Sequence, residues 1–202
     1  MINYRSLRSN IGRYLINLPG WRTNRKFVLF ESDDWGSIRI PSKEVYDKLR
    51  TKGVVLDTNP FNQFDCLENE KDLIDLFENF KKHADKNGKH PIITANFVVA
   101  NPDFEKIRNS NYEKYFYESI STTYKRNRHS YKSLELIKEG IENGLLKPQY
   151  HGREHLNVDQ WMSILQQKDE DYLLAFDHGV FSIEKEGQIG RASCRERVCH
   201  RV

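Results

Sequence analysis

Short apolar runs alternate along this chain with longer segments whose apolar residues recur at helical spacing. The runs at residues 27–30 and 92–99 have the length of buried strands, and residues 147–150 read as a third, shorter strand. The helical segments are predicted at residues 42–50, 69–86, 131–142, 158–165 and 172–176, with a further short helix opening at Asn101-Pro102. This alternation predicts βα units and a parallel sheet, an α/β fold.

The N-terminal 20 residues are predicted to form a separate helix. Leu7, Ile11, Leu15 and Leu18 recur at helical spacing, and the Pro-Gly pair at residues 19–20 ends the pattern. No apolar run reaches the roughly 20 residues of a membrane span, and this segment lacks the continuous apolar stretch of a secretory signal. We therefore expect no membrane span.

Residues 189–202 are expected to be a non-native tail. The decapeptide at residues 189–198, Ile-Gly-Arg-Ala-Ser-Cys-Arg-Glu-Arg-Val, resembles the translation of a short-read sequencing adapter, so we expect the natural sequence to depart from this one after about Gly187. The tail carries four arginines against one glutamate, and this excess equals the net charge of +3 of the whole chain. Without the tail no electrostatic case for nucleic-acid binding is left.

The cysteines point to a reducing compartment. Cys194 and Cys199 lie in the tail, so Cys66 is left without a partner for an internal disulfide. We therefore expect a cytoplasmic protein.

The first polar constellation is the pair Asp33-Asp34, which follows the first apolar run. Adjacent carboxylates next to a buried strand are costly unless a positive group neutralises them. A divalent metal is the usual solution, with one carboxylate as ligand and its neighbour as base. The alternative is an aspartate pair that caps a turn before Gly36.

The second constellation is His151-Gly-Arg-Glu-His155, which follows the third predicted strand. Two histidines four residues apart face the same way on one helical turn and can chelate a metal ion. The alternative is a pair of surface histidines. Because both constellations follow strands, they can meet at one sheet edge as an aspartate and two histidines with open positions, a plausible catalytic metal site.

The spacing His-x-x-Glu-His also matches the inverted zinc-protease motif, in which Glu154 would be the base. That motif belongs inside an amphipathic helix. Pro148 and Gly152 flank the first histidine here, and residues 147–150 read as extended chain. This context disfavours the protease.

A second family fits the same residues better. Residues 31–36, Glu-Ser-Asp-Asp-Trp-Gly, resemble the Thr-Phe-Asp-Asp-Gly motif of the polysaccharide deacetylases, the NodB homology domain of carbohydrate esterase family four. Residues 151–155 resemble that family's His-Ser/Thr-x-x-His motif, and residues 94–98 resemble its intervening strand. The residue pattern of these segments is similar to that of a divergent, uncharacterised bacterial branch of the family. The resemblance gives a partial domain at residues 21–188.

This resemblance implies an irregular (β/α) barrel of which the C-terminal part is missing, and a hydrolase that removes N-acetyl groups from an amino sugar or a surface polysaccharide precursor. The implied cofactor is a divalent metal, zinc in the first instance, and the implied partner is an N-acetylated carbohydrate. The implied site consists of Asp34, His151 and His155 as metal ligands, Asp33 as general base, and Trp35 and Arg153 beside the sugar.

The family's late general-acid histidine has no clear counterpart, and His178 is a possible substitute. A catalytically inactive metal- or carbohydrate-binding protein of the same fold is the alternative of another class.

Overall fold

The computed structural model describes residues 11–12, 15–16, 18–20, 22–56, 63 and 65–183. The residues described between 11 and 16 are helical, as predicted, and residues 18–20 form a turn and bend. Residues 1–10, 13–14 and 17 and the predicted tail lie outside the described residues. None of the helices in these ranges combines the length and the apolar character that a membrane crossing needs.

Five strands and seven helices have both of their ends within the described ranges. In chain order they are β1 (Phe30–Trp35), α1 (Lys43–Thr51), α2 (Glu70–Lys81), β2 (Ile93–Val98), β3 (Ala100–Pro102), α3 (Phe104–Asn109), β4 (Tyr117–Ser119), α4 (Ile120–Arg126), α5 (Ser133–Glu142), β5 (Leu146–Gly152), α6 (Val158–Gln166) and α7 (Glu170–Asp177). The α/β fold with a parallel sheet is therefore confirmed.

The main sheet has three parallel strands in the order β1-β2-β5. The expected strand at residues 27–30 is displaced: β1 starts at Phe30, and Val28 and Leu29 are 79% and 75% exposed. The register gives the reason. Phe30 pairs with Ile93, the first residue of β2, so the residues before Phe30 have no partner on that strand. The carboxyl ends of all three strands lie at one edge.

One face of this sheet packs on helices and the other is polar. Ala95 and Phe97 of β2 pack with Phe77 of α2 and Ile137 of α5 in a buried apolar cluster. Because side chains alternate along a strand, the opposite face carries the polar residues Glu31, Asp33, Thr94, Asn96, Lys147 and Gln149. Parallel sheets are usually apolar on both faces because both pack against helices. The polar face of this sheet therefore indicates a role other than core packing.

Several elements differ in extent from their sequence-based predictions. The helix expected at residues 69–86 ends earlier, at Lys81. Its start is as expected, since Asn69 is the N-cap and forms a capping box with Asp72. Asn101-Pro102 lies in β3 rather than in a helix, and the following helix begins after the N-cap Asp103. β3 pairs antiparallel with β4, so a strand for which the sequence analysis made no prediction lies at Tyr117–Ser119. A closed barrel is not seen in the described residues.

Gly140 lets α5 approach α2 closely. A Cβ atom at this position would lie 2.9 Å from Phe77 Cε2 and well inside contact distance of Cζ. Phe77 is 7% exposed and has little room to move. Gly140→Ala should therefore destabilise the protein by about 1–3 kcal/mol, even though alanine gains up to about 1 kcal/mol of helix propensity.

Urea denaturation would test this, with Gly140→Ala in a Phe77→Leu background as the control. The smaller side chain should relieve most of the loss. An increase in stability from Gly140→Ala alone would show that helix propensity outweighs the close packing.

Glu68 makes the stability depend on pH. Its Oε1 accepts a 2.6 Å hydrogen bond from the hydroxyl of Tyr124, a core residue. Burial raises the pKa of Glu68 from 4.5 to about 7. The folded state therefore holds this proton more tightly than the unfolded state, and the resulting stability is full below about pH 4.5 and lost as the pH rises through 7.

Because one pKa unit corresponds to about 1.4 kcal/mol, Glu68 alone should lower the free energy of unfolding by about 2–3 kcal/mol between pH 5 and pH 8. Urea titrations at the two pH values would measure it. Glu68→Gln should remove most of this fall, whereas Glu78→Gln on the exposed side of α2 should not. An unchanged fall in Glu68→Gln would assign it to other groups, such as Asp65.

Candidate metal centre

Asp34 leaves the regular geometry of β1. Its φ is +64°, and the register with β2 shifts between Ser32 and Trp35. Its carbonyl then accepts a 3.1 Å hydrogen bond from Ser37 N–H in a tight turn. Adjacent residues of a regular strand point to opposite faces, so this irregularity lets Asp33 and Asp34 escape strict alternation at the strand's carboxyl end.

The two histidines lie on a strand end and a bend, so the expectation of one helical turn is wrong. His151 belongs to β5, and Gly152 after it has a φ of +142°. The Arg153 carbonyl accepts hydrogen bonds from the N–H groups of Val99 and Ala100, at 3.1 and 2.8 Å. Pairing with the neighbouring segment therefore holds the backbone at residues 152–153, and the bends at residues 153 and 155–156 accompany an approach of the imidazoles to 4.3 Å between centroids.

Asp34, His151 and His155 come together. Asp34 Oδ1 lies 2.7 Å from His155 Nδ1 and 3.4 Å from His151 Nε2. One ligand atom from each residue lies within 4.8 Å of the other two. The three side chains are 18–26% exposed, so the cluster is accessible from solvent without being on the open surface.

This donor set fits a divalent metal. Asp34 Oδ1 is buried and receives no hydrogen bond of acceptable geometry from the described residues, although two imidazole nitrogens are close to it. A cation between these atoms would satisfy that oxygen. One carboxylate and two imidazoles are ligands that zinc accepts, and three protein ligands leave a position open for water or substrate.

Arg39 and Asp65 lie beside this three-residue cluster, and the sequence analysis did not single them out. Arg39 Nη2 lies 2.5 Å from Asp34 Oδ2, and Arg39 Nε lies 3.1 Å from Asp65 Oδ2. Arg39 therefore fixes one oxygen of Asp34 while the other faces the histidines. With neutral histidines, these five side chains together carry two negative charges and one positive charge. This net negative charge favours a bound cation.

The pKa shifts follow this arrangement. Burial raises the pKa of Asp34, but His155, Arg39 and His151 outweigh that effect and lower it below the usual 3.8. The contact with Asp34 raises the pKa of His155 above 6.5. Burial raises the pKa of Asp65 to about 6, in spite of the opposing effect of Arg39. Each side chain therefore favours the charged form of the other.

Asp33 has different contacts from its neighbour. It is exposed, and its Oδ1 accepts a 2.6 Å hydrogen bond from the side-chain amide of Asn96 on β2. The same amide donates to Glu31 Oε1 at 2.9 Å. Asp33 is not one of the three residues of the metal cluster.

Trp35 and Arg153 flank the cluster and are held by protein contacts. Trp35 is half-buried, and its ring lies 5.6 Å from that of Phe97 between centroids. Arg153 donates two 2.6 Å hydrogen bonds to Glu154, and its guanidinium lies over the rings of Tyr115 and Tyr117. Contact of either residue with a sugar stays a prediction.

The same contacts bear on the protease interpretation. Both Glu154 oxygens are engaged by Arg153, and the side chain is 4% exposed. His151 and His155 are not on a helix. The arrangement therefore lacks the helical geometry and the free glutamate that the inverted protease motif requires. His178, the possible general acid, follows the end of α7 and does not belong to the metal cluster.

Fold and site together define an α/β protein with a candidate aspartate–histidine–histidine metal centre at the carboxyl edge of a parallel sheet. No protein-family model, curated protein or solved structure matches this chain. The assignment of a function therefore depends on the chemistry of the site.

Proposed function

We propose that this protein is a metal-dependent hydrolase that removes N-acetyl groups from an amino sugar or a surface polysaccharide precursor. The observation that carries the proposal is the meeting of Asp34, His151 and His155 around an unsatisfied carboxylate oxygen, with a second carboxylate, Asp33, next to Asp34 in the sequence. Three protein ligands and a neighbouring base are the parts that metal-assisted amide hydrolysis needs.

Each side chain has a distinct role in this proposal. Asp34, His151 and His155 would hold a divalent metal, zinc in the first instance, which when bound supplies Lewis acidity toward the acetamide carbonyl and lowers the pKa of water. Asp33 would accept the proton of the attacking water. Because Oδ1 of Asp33 accepts a hydrogen bond from Asn96, we assign Oδ2 as the oxygen that takes the proton from water. Arg39 would keep Asp34 in its ligating orientation.

We further propose that the sheet is part of an irregular (β/α) barrel. Two features support this: the three strands are parallel with α2 and α5 packed on one face, and the opposite face is polar. A polar face suits the inner lining of a barrel, whereas a second helical layer would require an apolar face.

Acetate release tests the proposed function. The zinc-loaded, full-length protein should liberate acetate and free amine from oligomers of N-acetylglucosamine, and a chelator should stop the release. Re-addition of zinc should restore it. A protein that holds one metal ion per chain, yet releases no acetate from any N-acetylated sugar, would instead be a metal- or carbohydrate-binding protein.

A further inference from the structure

Asn96 is a buried polar side chain on the otherwise exposed polar face of the sheet. It is 8% exposed and lies on β2, the central strand, between β1 and β5. Its backbone register pairs it with Gln149, two residues before the metal-site histidine of β5. Buried amides need hydrogen-bond partners, and those of Asn96 lie on the neighbouring strand.

Both partners of Asn96 are carboxylates. Its Nδ2 donates to Asp33 Oδ1 at 2.6 Å and to Glu31 Oε1 at 2.9 Å. A side-chain amide carries two hydrogens on this nitrogen, so one hydrogen serves each acid. A flipped amide would turn its oxygen toward two negative charges. Glu31 therefore fixes which end of the Asn96 amide faces Asp33.

The hydrogen bond from Asn96 restricts the side-chain rotamer of Asp33. Asp33 is exposed and lies on β1, which has one neighbour in the described sheet, so water can solvate it in several rotamers. A hydrogen bond from a buried residue on the central strand selects one of them. A charge-assisted hydrogen bond of this length is among the stronger ones in proteins.

We infer that Asn96 is a positioning residue for Asp33 and that Glu31 holds Asn96 in the required orientation. The inference rests on the proposed function, since it gives Asp33 its role as base. Asn96 does not touch the metal ligands or the reacting atoms in this account. It acts by keeping Oδ1 of Asp33 occupied, which restricts the orientation of the carboxylate.

The test compares Asn96→Leu with Gln149→Leu in the zinc-loaded, full-length protein. Both variants remove an amide from the same sheet face, but Gln149 has no hydrogen bond to Asp33. Asn96→Leu should keep the metal and leave KM for N-acetylglucosamine oligomers nearly unchanged, while kcat falls by about 10- to 100-fold, the effect of a misplaced reacting group. Gln149→Leu should not lower kcat.

A double variant separates positioning from a general structural effect. In an Asp33→Asn background, Asn96→Leu should cause no further loss of kcat, because residues that act as a unit are not additive. Additive losses, or loss of metal in Asn96→Leu alone, would overturn the inference.

A second readout does not depend on turnover. Three-bond couplings at the Asp33 Cβ protons should report one χ1 rotamer in the wild-type protein and in Gln149→Leu, and averaged rotamers in Asn96→Leu. An unchanged Asp33 rotamer in Asn96→Leu would overturn the role of Asn96. A wild-type protein without deacetylation would overturn the proposed function alone, and the couplings would still decide whether Asn96 holds Asp33.

Discussion

Replacing Asp33 by asparagine is expected to leave the metal in place and to lower turnover by about 10²- to 10⁴-fold, the usual contribution of a positioned general base. An amide oxygen cannot take the water's proton. The metal should stay because Asp33 is outside the cluster formed by Asp34, His151 and His155. Acetate release and metal content, both measured on the same preparation, check this expectation.

Asp34→Asn is the matched variant, since it makes the same chemical change one residue away. It should lose metal affinity, because an amide oxygen is a weaker ligand than a carboxylate, and it also breaks the 2.5 Å ion pair with Arg39. The two variants should therefore fail in different ways. Near-normal deacetylation by Asp33→Asn, or loss of metal from Asp33→Asn with retention by Asp34→Asn, would contradict the two roles.

The combined variant His151→Ala and His155→Ala should reduce bound zinc from about one ion per chain to almost none. It removes two of three ligands and leaves a single carboxylate that is already paired with Arg39. Ligand number dominates zinc affinity because each imidazole nitrogen supplies a direct bond. Elemental analysis after dialysis against a limiting zinc concentration would measure the loss.

His129→Ala supplies the control for this experiment. His129 is exposed in the turn region between α4 and α5 and is not in the cluster, so its removal should not change the zinc content. Circular dichroism would show that the double variant is folded. A folded double variant with unchanged metal content would remove the site as described here.

Local signals in the sequence were sufficient for most helices. Ser42 and Asn69 cap α1 and α2 where their side chains predict caps. Such signals act within a few residues, so they can be read from the sequence directly. The prediction of a strand at residues 27–30 was wrong because the pairing of β1 depends on where β2 begins. That start lies about 60 residues later in the chain.

The sequence by itself determined which chemistry-bearing residues follow the strands: two adjacent carboxylates after one and two histidines after another. It also predicted that parallel strands would bring them to one edge. It could not supply Arg39, Asp65 or Asn96, because an arginine near a strand or an asparagine within one has no local signal until its distant partner is known.

Only the tertiary structure decided how these residues meet. The positive φ of Asp34 breaks strand alternation, and a strand end followed by bends at residues 151–155 replaces the expected helical turn. Both features depend on contacts between segments far apart in the chain, namely β1 with β2 and residues 99–100 with residues 152–153. Residue type and spacing specify the ligands, whereas hydrogen bonds between distant backbone segments specify their geometry.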